Sequence, residues 1–109
     1  MTGRTSQQIL AAPENALYIV EQPGVPAFFT RDLARALGRR DVVVAPAQYF
    51  AATYVKIIKS RRPVIIDHAL TDIGGLADMD CALRQRLWKA MEAAEKAGLL
   101  ILAVGASYK

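Results

Sequence analysis

Apolar residues occur along this chain in four short continuous runs, separated by longer stretches of mixed polarity. The runs are Leu17–Val20, Val42–Ala45, Val64–Ile66 and Leu99–Val104. A run that is apolar at every position, rather than at every second one, is typical of a strand covered on both faces. We therefore predict four buried β-strands.

The stretches between these runs carry apolar residues at helical spacing. The predicted helices are Thr2–Ala12, a helix capped by Thr30 that runs to Ala36, Gln48–Lys59 and about Leu76–Lys96. Strands that alternate with helices favour parallel βαβ units. We expect one α/β domain over residues 1–109, with a three-layer architecture in which helices flank a mostly parallel four-stranded sheet. Phe28 and Phe29, just before Thr30, are either a hydrophobic staple at the helix start or an exposed contact, and the pattern favours the staple.

Composition excludes several classes of protein. With 109 residues of which 53% are hydrophobic, the chain has enough apolar material for a packed core and is unlike disordered chains. The longest apolar run, Ala97–Ala106, is interrupted by glycines and is far shorter than the roughly 20 residues of a transmembrane helix, so no membrane partner is expected. No secretory signal is visible, and the single cysteine, Cys81, fits a reducing cytoplasm.

The net charge of +4 is moderate, and nine of the fourteen basic residues are arginines. One basic group precedes the second strand and another precedes the third, so both are expected at the amino-terminal edge of a parallel sheet. The two groups together consist of Arg39, Arg40, Lys59, Arg61 and Arg62. A solvated rim is the favoured interpretation, and a patch for nucleic acid or another polyanion is the alternative.

Ligands of open parallel sheets bind beyond the carboxyl ends of the strands. Asp67 and His68 follow the apolar run Val64–Ile66 at that edge, and Ser107 follows the last run. A carboxylate there can hold Mg²⁺ beside the phosphates of a nucleotide. In the alternative interpretation, Asp67 caps the next turn, His68 forms local hydrogen bonds, and Ser107 belongs to an ordinary exposed terminus.

A second signal lies at the start of the chain, where Gly3, Arg4, Thr5 and Ser6 open the first predicted helix. A glycine, a basic residue and two hydroxyls at a helix start can bind phosphate through the backbone N–H groups and the helix dipole. The alternative is a frayed terminus in which Thr5 or Ser6 caps the helix.

Taken in order, these segments resemble a small, degenerate P-loop NTPase core of the RecA-like or helicase-like kind. Gly3-Arg4-Thr5 looks like the end of the phosphate loop, Asp67-His68 looks like the Asp-Glu pair at the magnesium strand, and Ser107 looks like the polar sensor. The chain is also similar to short phage-encoded proteins that open with Gly-Arg-Thr-Thr. The resemblance implies Mg²⁺ with ATP or another nucleotide, held by Gly3 to Ser6 and Ser107. It further implies Asp67 as the metal residue, Asp67 and His68 as the candidates for catalysis, and the cytoplasm of a bacterial host.

The departures from this family pattern argue against efficient turnover. Only two residues precede Gly3, so the strand and half of the loop are missing. Arg4 replaces the family lysine, and His68 replaces the glutamate that positions water. We expect a phage or mobile-element accessory protein that binds a partner, or binds nucleotide weakly, rather than an active NTPase.

Two other classes of function remain open. The chain could be a non-catalytic module that self-associates or binds a protein partner through an open sheet edge. It also resembles a degenerate response-regulator receiver, which would make Asp67 the phosphoryl acceptor. Against the receiver, Glu21 is the only acid after the first predicted strand, where that family has an acidic pair.

Overall fold

The computed structural model of the protein describes residues 3–21, 25–72, 76, 79–103 and 106. Along them lie α1 (Gly3–Ala11), β1 (Leu17–Val20), α2 (Val25–Ala36), β2 (Val43–Pro46), α3 (Ala47–Lys59), β3 (Val64–Ile66), α4 (His68–Asp72), α5 (Cys81–Lys96) and β4 (Leu100–Ile101). The described strands form one sheet in the order β2-β1-β3-β4, and neighbouring strands pair in parallel. The predicted α/β fold with a parallel four-stranded sheet is confirmed.

Alternate side chains of each central strand enter two different cores. Leu17 and Ile19 pack with α3 and α5, in a core that includes Phe50, Leu87 and Met91. Tyr18 and Val20 point the other way and pack with α1 and α2. The other main members of this second core are Ile9, Ala27, Ala34, Val44 and Ile65. Because helices cover both faces, every position of these strands is buried, which is why the runs are apolar throughout.

A glycine follows the end of α2 and of α5, as predicted. Gly38 and Gly98 have positive φ values of 79° and 75°, which glycine adopts without strain, and they stop α2 and α5. The start of α2 differs from the prediction, because the helix begins at Val25 with a proline in its first turn rather than at Thr30. Phe28 and Phe29 therefore lie on the helix itself, 58% and 72% exposed, and the staple interpretation is wrong.

The segment after β3 also differs from the prediction. The short helix α4 follows Asp67 directly, and the long helix begins at Cys81 rather than at Leu76. Asp80 sets this start, because its carboxylate accepts a hydrogen bond of 3.2 Å from the N–H of Leu83. No helix among the described residues is both long and apolar enough to cross a lipid bilayer.

Candidate functional site

The site is built where the connections of the sheet diverge. From β1 the chain crosses to β2 on one side, whereas β3 lies on the other side and leads to β4. In open α/β sheets this divergence leaves a crevice at the carboxyl ends of the strands, where ligands bind. Glu21 and Asp67 both follow their strands at this edge, as predicted, and the first half of α1 lies against it.

The two segments singled out from the sequence meet here. The Thr5 hydroxyl, in the first turn of α1, donates a hydrogen bond of 3.2 Å to Oδ1 of Asp67. The same hydroxyl oxygen lies 3.1 Å from Nε2 of His68. Residues more than sixty positions apart thus form one cluster, named the Thr5–Asp67–His68 cluster below.

Two further polar side chains hold this cluster in place. The Tyr18 hydroxyl donates a hydrogen bond of 2.5 Å to Oδ1 of Asp67 and lies 3.1 Å from Oε1 of Gln8. Gln8 in turn donates to the carbonyl of Ile66 at 3.0 Å and accepts from the N–H of His68 at 2.9 Å. Burial, together with the negative charge of Asp67 and the hydrogen bond to it, raises the pKa of Tyr18 well above its usual value. The phenol therefore remains a hydrogen-bond donor at every physiological pH.

The hydroxyl of Thr5 links His68 to Asp67. Thr5 donates its one hydroxyl proton to Asp67, so its oxygen is placed to accept a hydrogen bond from Nε2 of the imidazole. Nδ1 of His68 is buried and has no hydrogen-bond partner among the described residues, and the residue as a whole is only 7% exposed.

A cleft of about 300 Å³ lies beside the cluster, between α1 and β4. Ile65 and Ile101 are among its apolar lining residues, and its polar lining consists of Arg4, Gln7, Gln8 and His68. An apolar cleft with a few polar groups is the usual form of a small-molecule site.

The chemistry of the cluster fits a hard cation beside an anion. Thr5 and Asp67 offer oxygen ligands, which Mg²⁺ prefers. Among the described contacts, Oδ2 of Asp67 accepts one long hydrogen bond, of 3.4 Å, from the N–H of Ala69. The described residues hold no group of three or more His, Cys, Asp or Glu side chains that could enclose a metal ion. A cation here would therefore complete its shell with water and ligand oxygens, as Mg²⁺ does.

The other predicted site residues lie at different distances from this centre. Gly3 is the first residue of α1, Arg4 lines the cleft, and Ser6 takes part in none of the described hydrogen bonds of the cluster. Ser107 lies outside the described residues. Sequence reasoning missed Tyr18 and Gln8. The available signal was a tyrosine inside a buried apolar run, because a buried phenol needs a hydrogen-bond partner.

Two of the basic residues at the opposite edge, Arg39 and Arg62, form contacts that support the fold. Arg39 binds Asp41 and also donates to the carbonyls of Ile9, Leu10 and Pro13 at the end of α1. The hydrogen bond from Arg39 is the main reason why the pKa of Asp41 falls to about 2. Arg62 donates to the carbonyl of Asn15 at 2.6 Å, whereas Arg40, Lys59 and Arg61 are exposed. The polyanion patch at this edge stays a prediction.

Comparison with protein families, with curated proteins and with solved structures gives no match for this chain.

Proposed function

We propose that this protein binds a phosphorylated ligand, with a magnesium nucleotide as the leading candidate, at the N-terminus of α1. The observation that carries the proposal is the contact of the Thr5 hydroxyl with both Asp67 and His68. It puts a hydroxyl and a carboxylate beside the N–H groups of a helix start, and phosphate binds readily at such a terminus. Thr5 and Asp67 would hold Mg²⁺, which would neutralise negative charge on the phosphate.

The same contacts favour binding over turnover. Hydrolysis needs a group that orients and deprotonates water. Nε2 of His68 is engaged with Thr5, and Nδ1 is buried. No second carboxylate joins Asp67 in the described hydrogen bonds of the cluster. The proposed role is a weakly nucleotide-binding accessory protein of the bacterial cytoplasm, such as a phage or mobile element would encode.

Calorimetric titration with Mg-ATP and Mg-ADP tests this function. Thr5→Val keeps the shape of the side chain and removes the hydroxyl, and Asp67→Asn removes the charge. We expect each change to weaken magnesium-dependent binding by roughly tenfold or more, the equivalent of one charge-assisted contact.

Thr53→Val is the matched control, since Thr53 lies on α3 and its hydroxyl bonds only the carbonyl of Tyr49 in the described contacts. It should bind as the unmodified protein does. Thermal melting of all variants separates loss of the site from loss of the fold. Equal affinity in all four proteins, or no nucleotide binding to any of them, would contradict the proposal.

One observation favours a second candidate function. The sheet order β2-β1-β3-β4 is that of the first four strands in flavodoxin-like sheets, which receivers share, and Asp67 follows the third strand. The Thr5 and Tyr18 hydrogen bonds to Oδ1 make this carboxylate a poor phosphoryl acceptor. Incubation with a small acyl phosphate followed by intact-mass measurement distinguishes the two candidates, because only a receiver would gain a phosphoryl group on Asp67.

A further inference from the structure

A second cleft, of about 350 Å³, runs between α2 and the outer strand β2. We call it the α2–β2 groove. Arg31, Arg35, Arg39 and Arg40 line it, together with Val42–Val44, and no acidic residue is among its described lining. Arg39 is bound to Asp41, whereas the other three arginines are exposed. The groove therefore offers positive charge to a partner beside a short aliphatic strand.

The groove includes an open edge of the sheet, because β2 is the outermost described strand on this side. The N–H of Val43 bonds the carbonyl of Ala16, which lies on the inner side. Main-chain groups alternate in direction along a strand, so those of Val42 and Val44 point outward. The N–H of Val42 donates to the carbonyl of Arg39, so within the described part of the chain the Val42 carbonyl and both main-chain groups of Val44 are left for a partner.

An exposed aromatic side chain adjoins the same surface. The Arg31 guanidinium lies 5.3 Å from the centre of the Phe28 ring, so the cation is held against the ring. Phe28 is 58% exposed, and Val43 is 44% exposed. Apolar anchors and arginines on one surface are typical of protein-binding sites.

We propose that the α2–β2 groove binds an extended acidic segment of a partner protein, which adds as a strand to the outer edge of β2. Strand addition uses the main chain for affinity and alternate side chains for specificity. Acidic side chains of the segment would meet Arg31, Arg35 and Arg40. A peptide fits better than a nucleic acid, because an added strand can pair with the outward carbonyl of Val42 and with both main-chain groups of Val44. This inference is independent of the phosphate-site proposal.

The test uses the full chain, labelled with ¹⁵N, and an acetylated peptide of alternating glutamate and valine. Three other probes accompany it: the same peptide with N-methylated amides, a lysine–valine peptide and a thymidine oligonucleotide. We expect the glutamate–valine peptide to shift the amide resonances of Val42–Val44 and of the α2 arginines. N-methylation removes the main-chain donors and should weaken binding by about tenfold.

Arg31→Glu combined with Arg35→Glu should abolish binding of the acidic peptide. Arg86→Glu combined with Lys89→Glu makes the same charge change on exposed positions of α5 and should retain binding. Arg35→Gln alone, which changes one exposed side chain, should weaken binding and covers the event that the double variant fails to fold.

Three results would overturn the proposal: no shifts at the groove with the acidic peptide, equal binding of the N-methylated peptide, or tighter binding of the oligonucleotide at the same resonances. None of these results bears on nucleotide binding at Thr5 and Asp67, so the two proposals fail separately.

Discussion

Asp41 and Arg39 form an ion pair in which both oxygens of the carboxylate are bound. The Arg39 guanidinium places Nε and one terminal nitrogen 3.2 Å from the two oxygens of the Asp41 carboxylate. The N–H of Asn15 donates to the same carboxylate at 2.9 Å. These contacts stabilise the ionised form, and they hold the pKa of Asp41 at about 2, below its usual 3.8.

A pH dependence of stability follows from this lowered pKa. A carboxyl whose folded-state pKa is depressed contributes stability above its unfolded pKa and loses that contribution as the pH falls through the folded value. We expect the difference in melting temperature between the unmodified protein and Asp41→Asn to be largest above about pH 5. It should shrink as the pH falls from about 4 to about 2. Melting curves across this range check the prediction, and a difference that stays constant down to pH 2 would contradict it.

At the scale of elements, α1 is held in place at both of its ends by polar contacts. Thr5 and Gln8 bind the end of β3, and Arg39 donates to the last carbonyls of the helix. Between these contacts, Ile9 is fully buried against the sheet. A helix of nine residues is too short to be stable alone, so these contacts decide whether it forms.

Arg39→Lys should therefore loosen α1 selectively. Lysine keeps the charge but cannot reproduce the guanidinium contacts with three carbonyls and a carboxylate, so we expect a loss of about 1–3 kcal/mol. Amide hydrogen exchange should accelerate in α1 more than in α3. The same substitution at the exposed Arg35 of α2 is the control and should leave both helices unchanged. Equal acceleration in α1 and α3 would show that Arg39 supports the fold generally rather than this helix.

The predictable elements are those whose sequence signal is local. The strands β1 and β3 begin and end where the predicted apolar runs do. Gly38 and Gly98 stop their helices by backbone conformation alone. The start of α2 was misplaced because Thr30, with Asp32 after it, has the local pattern of an N-cap, whereas the helix begins five residues earlier at Val25. Tyr18 and Gln8 were missed because their partners are distant in sequence, and no local pattern pairs them with Asp67.

At the scale of the molecule, one sheet separates two cores that share its strands. Leu17 and Ile19 enter one core, and Tyr18 enters the other. A strand cannot lose one face and keep the other, so the two cores are expected to unfold together.

Ile9→Ala tests this cooperativity. Ile9 lies in the core on the α1 side, and the truncation should cost about 2–5 kcal/mol. Trp88, the only tryptophan, lies on α5 across the sheet. We expect its fluorescence transition and the circular dichroism transition to stay coincident and to move together to lower denaturant. Leu10→Ala, at a neighbouring exposed position, should shift neither by more than about 0.5 kcal/mol. Separated transitions in Ile9→Ala would show that the cores are independent.

The position of α1 in the chain has a consequence for the order in which the protein matures during synthesis. The helix is synthesised before the other described elements, yet its partners at the end of β3 follow Thr5 and Gln8 by 58 to 63 residues. Until β3 has been made, Thr5 lacks its partners Asp67 and His68, and Gln8 has only Tyr18 among its described side-chain partners. A helix of this length melts in water. The proposed ligand site therefore cannot exist on a nascent chain that ends before His68, even though Thr5 is translated well before its partners.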